Sequence, residues 1–129
     1  MKKRRAGGLA NVVAGQTAIC TVGQSGHGLT YRGFSIEDLA QHACFEEVAY
    51  LLMHDDLPSA DTLRAYRARL AGMRELPAEL KRILEQLPSD SHPMDVLRTG
   101  CSALGCLEPE QSFDQESSIA DRLLAVLPS

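Results

Sequence analysis

Hydrophobic side chains recur at every third or fourth position along most of this 129-residue chain, with polar residues between them. This spacing is typical of amphipathic α-helices that turn an apolar stripe towards a core. Serine and proline residues stand where several of the stripes begin or end, as helix caps and breakers do. The first predicted helix is capped by Ser35 and runs to His42, and the second has its apolar face from Phe45 to Leu52. The third is capped by Ser59, and its apolar stripe reaches Met73. A fourth is opened by Pro77 with Leu80, Ile83, Leu84 and Leu87 facing inward, and a last one runs from about Ser117 to Leu127 after an exposed acidic loop at 108–116.

The spacing of hydrophobic residues is different near the amino end of the chain. Residues 16 to 22 alternate loosely and include four β-branched side chains, and a glycine-rich segment at 23–28 separates them from a short run at 29–32. These signals predict a small β-hairpin. Because the glycines precede a strand and not a helix, they do not indicate a phosphate-binding loop.

The segment from Ser91 to Gly105 predicts one further helix, which has almost no solvent face. His92 suits the N-cap position, Pro93 suits the first helical position, and Asp95 complements the positive end of the helix dipole. Beyond the first turn only Arg98 is charged. A helix of this kind is buried on several sides, and it needs more partners than a short chain easily supplies. Its stripe consists of Met94, Leu97, Cys101 and Leu104, and its small residues are Thr99, Gly100, Ser102, Ala103 and Gly105.

The same segment carries a family resemblance. His-Pro-Met-Asp-Val-Leu-Arg-Thr-Gly at 92–100 resembles the His-Pro-Met helix of the citrate synthase family, particularly its 2-methylcitrate synthase branch. Other blocks follow that branch in the same order, and together they run from about Leu9 to the end of the chain. They cover roughly the first third of a family member. These blocks are Gly-Gln-Thr-Ala-Ile-Cys-Thr-Val-Gly at 15–23, the stretches 29–40 and 45–52, the Leu-Pro pairs at 57–58 and 76–77, and a partly preserved block at 118–124.

The resemblance implies a fold class and a domain organisation. We expect a mainly α structure, namely the multi-helix N-terminal part of the citrate synthase fold, preceded by the small β-hairpin. Residues 1–8 are expected to form a disordered basic tail, and residues 9–129 a partial large helical domain. Since the last helix continues in the family, that domain is expected to be truncated at residue 129.

Composition and charge limit the classes of partner and compartment. The net charge is −4 although four of the thirteen basic residues are in the first five positions, so the rest of the chain is more acidic still. An acidic body argues against binding to nucleic acid. No apolar run is long enough to span a bilayer, and the amino end lacks the sustained apolar stretch of a secretory signal. We therefore expect a cytoplasmic protein that binds neither nucleic acid nor membrane. Its four cysteines are expected to be buried, reduced thiols, not disulfides or metal ligands: Cys20, Cys44, Cys101 and Cys106.

Catalytic residues are not expected in this chain. The family reaction is a Claisen-type condensation, in which a carboxylate base removes a proton from acyl-CoA and the enol attacks the ketone of oxaloacetate. The resemblance implies that two histidines and an aspartate from the later two-thirds of a family chain do this work, and those motifs are not in the sequence. We expect no cofactor, since acyl-CoA is a substrate, and no metal site. The histidines have simpler interpretations: His27 in a solvated turn, His42 and His54 at helix ends, the latter beside Asp55 and Asp56, and His92 as a cap with Asp95.

Two arginines are candidates for contact with substrate. Arg32 lies in a block shared with the family, and the alternative interpretation is a structural ion pair or turn contact. Arg69 flanks the apolar stripe of the third helix, where an arginine more often lies along its own helix.

Two hypotheses about function remain open. In the first, the chain is the N-terminal portion of a 2-methylcitrate synthase, which condenses propionyl-CoA with oxaloacetate, or of a citrate synthase, which uses acetyl-CoA. The fragment itself would be inactive, and the 92–105 helix would form a homodimer contact. In the second, the chain is a stand-alone helical interaction module derived from that family, which binds a partner subunit.

Overall fold

A computed structural model describes residues 15–23 and 28–128 of the chain. The predicted basic tail at 1–8 and the predicted solvated turn at His27 lie outside the described residues. The described chain is mainly α-helical with a small three-stranded sheet, which confirms the predicted fold class. The strands are β1 (Cys20–Val22), β2 (Leu29–Tyr31) and β3 (Phe34–Ser35), and the helices are α1 (Ile36–His42), α2 (Phe45–His54), α3 (Ala60–Gly72), α4 (Ala78–Glu85), α5 (Pro93–Leu107) and α6 (Glu116–Val126). A single 3-10 turn, Phe113–Gln115, precedes α6.

The chain divides into two compact units, of which the first extends to Leu57. Its antiparallel sheet has the order β1-β2-β3. The β1–β2 hairpin confirms the prediction, and β3, which is only two residues long, was not predicted. Ser35 caps α1 as expected, because its hydroxyl accepts a hydrogen bond from the backbone N–H of Asp38. The buried residues of α1 and α2 are Leu39, Ala49 and Leu51.

The second unit begins at Pro58 and contains α3 to α6. The Ser59 hydroxyl accepts a hydrogen bond from the backbone N–H of Thr62 over 3.2 Å, so the predicted cap of α3 is confirmed. Tyr66 and Leu70 are buried on α3, which packs against α6. A core cluster joins one buried residue from each of α4, α5 and α6: Leu80, Leu104 and Val126.

Three residues of the predicted inward faces outside α5 are exposed: Phe45 at the start of α2, Ile83 and Leu127. Ile83 was expected to face the core, but α4 turns Leu84 towards α5 instead. Leu127 follows the last turn of α6 and is also exposed. Neighbouring described elements therefore cover only part of each predicted apolar stripe. None of the helices in the described ranges has the length and apolar content that crossing a membrane requires.

Candidate functional site

Arg32 lies in the turn between β2 and β3, and its side chain reaches the end of α2. Both residues of the turn have positive φ, 48° at Arg32 and 89° at Gly33, as in the two-residue type I′ turns of hairpins. The guanidinium donates a hydrogen bond to the carbonyl oxygen of Leu52 over 3.2 Å. That carbonyl is one of the last four of α2, which have no partner within the helix. Arg32 therefore caps α2 from outside the helix.

The Arg32 guanidinium also pairs with the carboxylate of Asp55, 2.6 Å away. Asp55 ends α2 with a left-handed backbone, φ 70°, so the two paired residues are both in a conformation that non-glycine residues seldom adopt. The Arg32 side chain is 19% exposed, and its buried Nε has no hydrogen-bond partner among the described residues. Arg32 therefore forms a structural ion pair, which was the alternative to a contact with substrate.

Arg69 extends from α3 to a buried carboxylate on α6. Its guanidinium lies 2.8 Å from Oδ2 of Asp121, and the Tyr66 hydroxyl donates to Oδ1 of the same carboxylate over 2.9 Å. The Asp121 side chain is 3% exposed and that of Arg69 is 54% exposed. A carboxylate removed from water needs such partners, because an unpaired buried charge is very costly. The expectation that Arg69 lies along its own helix is therefore wrong, since Asp121 attracts it to α6.

Arg122, the residue after Asp121, links three stretches of the second unit. Its guanidinium forms a bidentate ion pair with the carboxylate of Glu108, just beyond the end of α5, with N–O distances of 2.9 and 2.7 Å. It also donates to the carbonyl oxygens of Met73 and Glu75 in the loop after α3. The hydrogen bonding between the two side chains lowers the pKa of Glu108 and raises the pKa of Arg122. The middle of α6 is thereby fixed to the segments that follow α3 and α5.

The sequence analysis did not identify Asp121 and Arg122 as organising residues, although the sequence contained a signal. They are the only charged residues in the apolar run from Ile119 to Leu127. Charged side chains in the middle of such a run must find partners on neighbouring elements when the helix is buried. The pattern could have indicated an ion-pair network, but not the partner residues.

The histidines in the described part of the chain all lie at helix ends. His42 ends α1 and the exposed His54 ends α2, as predicted. Nδ1 of His92 accepts a hydrogen bond from the backbone N–H of Met94 over 3.2 Å, which confirms the predicted cap of α5. Within the described ranges, no three His, Cys, Asp or Glu side chains are grouped so that they could hold a metal ion.

The apolar face of α5 is largely uncovered. Leu104 is buried, but Met94 is 64% exposed and Leu97 is 42% exposed. The described residues thus do not bury α5 on several sides, although the sequence predicts such burial. This outcome agrees with the expectation that α5 needs further packing partners.

Two glycines of α5 have different surroundings. A Cβ added at Gly100 would lie 3.5 Å from Cδ2 of Leu84, so α4 passes close to this position. A Cβ added at Gly105 would have no atom within 4 Å, among the residues that the structure describes. Beside Gly105 a cavity of about 550 Å³ opens between α5 and α6, with Leu104 and Ile119 in its walls. This side of α5 has room for another backbone to approach closely.

The cysteines are free thiols, and none of them is fully buried. Cys20 and Cys44 are half-buried, whereas Cys101 and Cys106 are exposed. The prediction that all four are buried is therefore wrong, and the departure is largest for the two cysteines of α5. The reason is that α4 and α6 cover α5 around Leu104, whereas the described residues leave Cys101 and Cys106 exposed.

Comparisons of this chain with known proteins agree on one family. The model of the family described as citrate synthase, C-terminal domain, matches residues 8–129. A 2-methylcitrate synthase of Shewanella oneidensis is 58% identical over 128 residues, which are 99% of this chain and 34% of the relative. A citrate synthase of Mycolicibacterium smegmatis is 42% identical over 125 residues, which are 95% of this chain and 33% of the relative. The chain thus spans about a third of the length of the curated relatives it matches.

A solved structure shows the same architecture. The crystal structure of citrate synthase from Thermotoga maritima is 34% identical, and the matched region covers 94% of this chain and 31% of that one. The TM-score is 0.74. The mainly helical fold with a small sheet is therefore that of part of a citrate synthase.

Proposed function

Because the chain belongs to the citrate synthase family, we propose that it is the N-terminal portion of a 2-methylcitrate synthase. The complete enzyme would condense propionyl-CoA with oxaloacetate to give 2-methylcitrate and CoA. The observation that carries this proposal is the 58% identity to the Shewanella enzyme along nearly the whole chain. Identity at this level, maintained through both units, supports a shared reaction more strongly than a shared fold alone would.

The 129-residue chain by itself is proposed to be inactive. The condensation needs a carboxylate base together with hydrogen-bond donors that converge on the two reacting carbonyl groups. Here each described histidine lies at the end of a different helix, and the buried carboxylate of Asp121 is occupied by Tyr66 and Arg69. The family resemblance assigns the catalytic groups to a part of the relatives that this chain does not span. The fragment would therefore supply framework only.

A second copy of the enzyme is the partner that we propose for α5. The support is the uncovered face around Met94 and Leu97, and the open space at Gly105. A small residue on an apolar helix face allows two backbones to pack closely, and a two-fold contact would bring the same face from both copies together. The resulting homodimer would cover the side chains that the described chain leaves exposed.

Arg69 and Arg32 are proposed substrate contacts of the complete enzyme. The half-exposed guanidinium of Arg69 leaves donors open to solvent, while its bond to Asp121 fixes its position. An arginine held in this way is suited to bind a carboxylate or a phosphate. The guanidinium of Arg32 is engaged by Asp55 and Leu52, so its case is weaker.

A chimeric enzyme tests the proposed function directly. The third of the Shewanella oneidensis enzyme that matches this chain is replaced by the chain itself. We expect the chimera to release CoA from propionyl-CoA only when oxaloacetate is present, and the purified 129-residue chain to release none. A dimeric chimera that folds but does not turn over would contradict the synthase assignment. Release of CoA by the short chain, abolished by a change to one of its own residues, would contradict its proposed inactivity.

The same chimera tests the two arginines. Arg69→Lys keeps a positive charge beside Asp121 but removes the planar donor set, so we expect KM for a substrate to rise more than kcat falls. Arg64→Lys is the matched control, because Arg64 is an exposed residue of the same helix that pairs with Asp61 one turn earlier. Arg32→Lys is measured in parallel. Equal kinetics for the Arg69 variant and the control would exclude a substrate contact at Arg69.

We also propose that the protein is cytoplasmic. The support is that its four cysteines are free thiols, which persist in a reducing compartment. Fractionation of cells that produce the protein, followed by blotting of each fraction, measures this directly, and recovery of the protein outside the cytoplasmic fraction would contradict it.

A further inference from the structure

We draw no further inference here: the strongest candidate, the apolar groove between α5 and α6 around Gly105 and Cys101, belongs to the helix face already proposed to contact a second copy, and nothing in the structure shows any other occupant.

Discussion

Replacement of Gly105 by alanine is expected to stabilise the isolated chain. Glycine inside a helix costs about 0.5 to 1 kcal/mol relative to alanine, because it loses more backbone freedom on folding. Gly105 does not have positive φ, and an added methyl group would have no atom of another described element within 4 Å. No steric clash in the described part of the folded chain therefore offsets the stabilisation by alanine. Since the methyl group also makes no new contact, the propensity term of about 1 kcal/mol is the upper limit.

Urea unfolding followed by far-UV circular dichroism measures this difference. The midpoint for Gly105→Ala should rise at an unchanged slope, since the surface exposed on unfolding hardly changes. Sedimentation at the same concentration must show that both proteins are monomers. A monomeric Gly105→Ala chain that unfolds more easily than the parent would refute the reasoning, because another group would then already occupy that space.

Larger side chains at the two glycines of α5 provide the matched control. Gly100→Leu should destabilise the chain by about 1 to 3 kcal/mol, because Leu84 already lies at contact distance from the position of its Cβ. Gly105→Leu should not destabilise the isolated chain, but in the chimera it should weaken the dimer. Equal effects of the two substitutions on the isolated chain would mean that the surroundings of these glycines do not differ.

Three further predictions concern single side chains, each followed by urea unfolding. Tyr66→Phe leaves one oxygen of the buried Asp121 carboxylate without its donor, so a loss of about 1 to 3 kcal/mol is expected, and a change below about 0.5 kcal/mol would contradict the described hydrogen bond. Leu51→Ala empties a site with no solvent exposure and should cost about 2 to 5 kcal/mol; a cost below about 1 kcal/mol would mean that the site collapses. Pairing with Arg122 lowers the pKa of Glu108 below its usual 4.5, so its contribution is present above that pH and is lost as pH falls through the lowered value. Glu108→Gln should make the stability less dependent on pH in this acidic range, and an unchanged dependence would count against the pairing.

Local chemistry made the helix starts predictable. Ser35, Ser59 and His92 each satisfy a backbone N–H of the first turn that follows them, and all three caps were expected from residue type and position. Capping depends on residues two or three positions apart, so it can be predicted from the sequence without knowledge of the tertiary structure. The same argument explains why β3 was missed, since two residues have no periodicity to read.

Contacts between distant residues were less predictable. The sequence placed Arg69 at the edge of an apolar stripe, but the direction of its side chain depends on Asp121, more than fifty residues later in the chain. The exposure of Ile83 and Cys101 likewise depends on which neighbours cover each helix, and the stripe alone does not specify them. The expectation for α5 succeeded in one respect, because it concerned the need for partners and not their identity.

The sequence separation between Asp121, Arg122 and their partners on α3 and in the loop after it has a consequence for folding during synthesis. Tyr66 finds its acceptor 55 residues later, and the carbonyl oxygen of Met73 finds Arg122 after 49 residues. While the ribosome is still translating α3 to α5, these hydrogen bonds cannot form, so the contacts that join α3 to α6 are missing. The second unit can thus reach its native arrangement only after α6 has left the exit tunnel. Until then, we expect the apolar side chains that α6 covers to be exposed on the nascent chain.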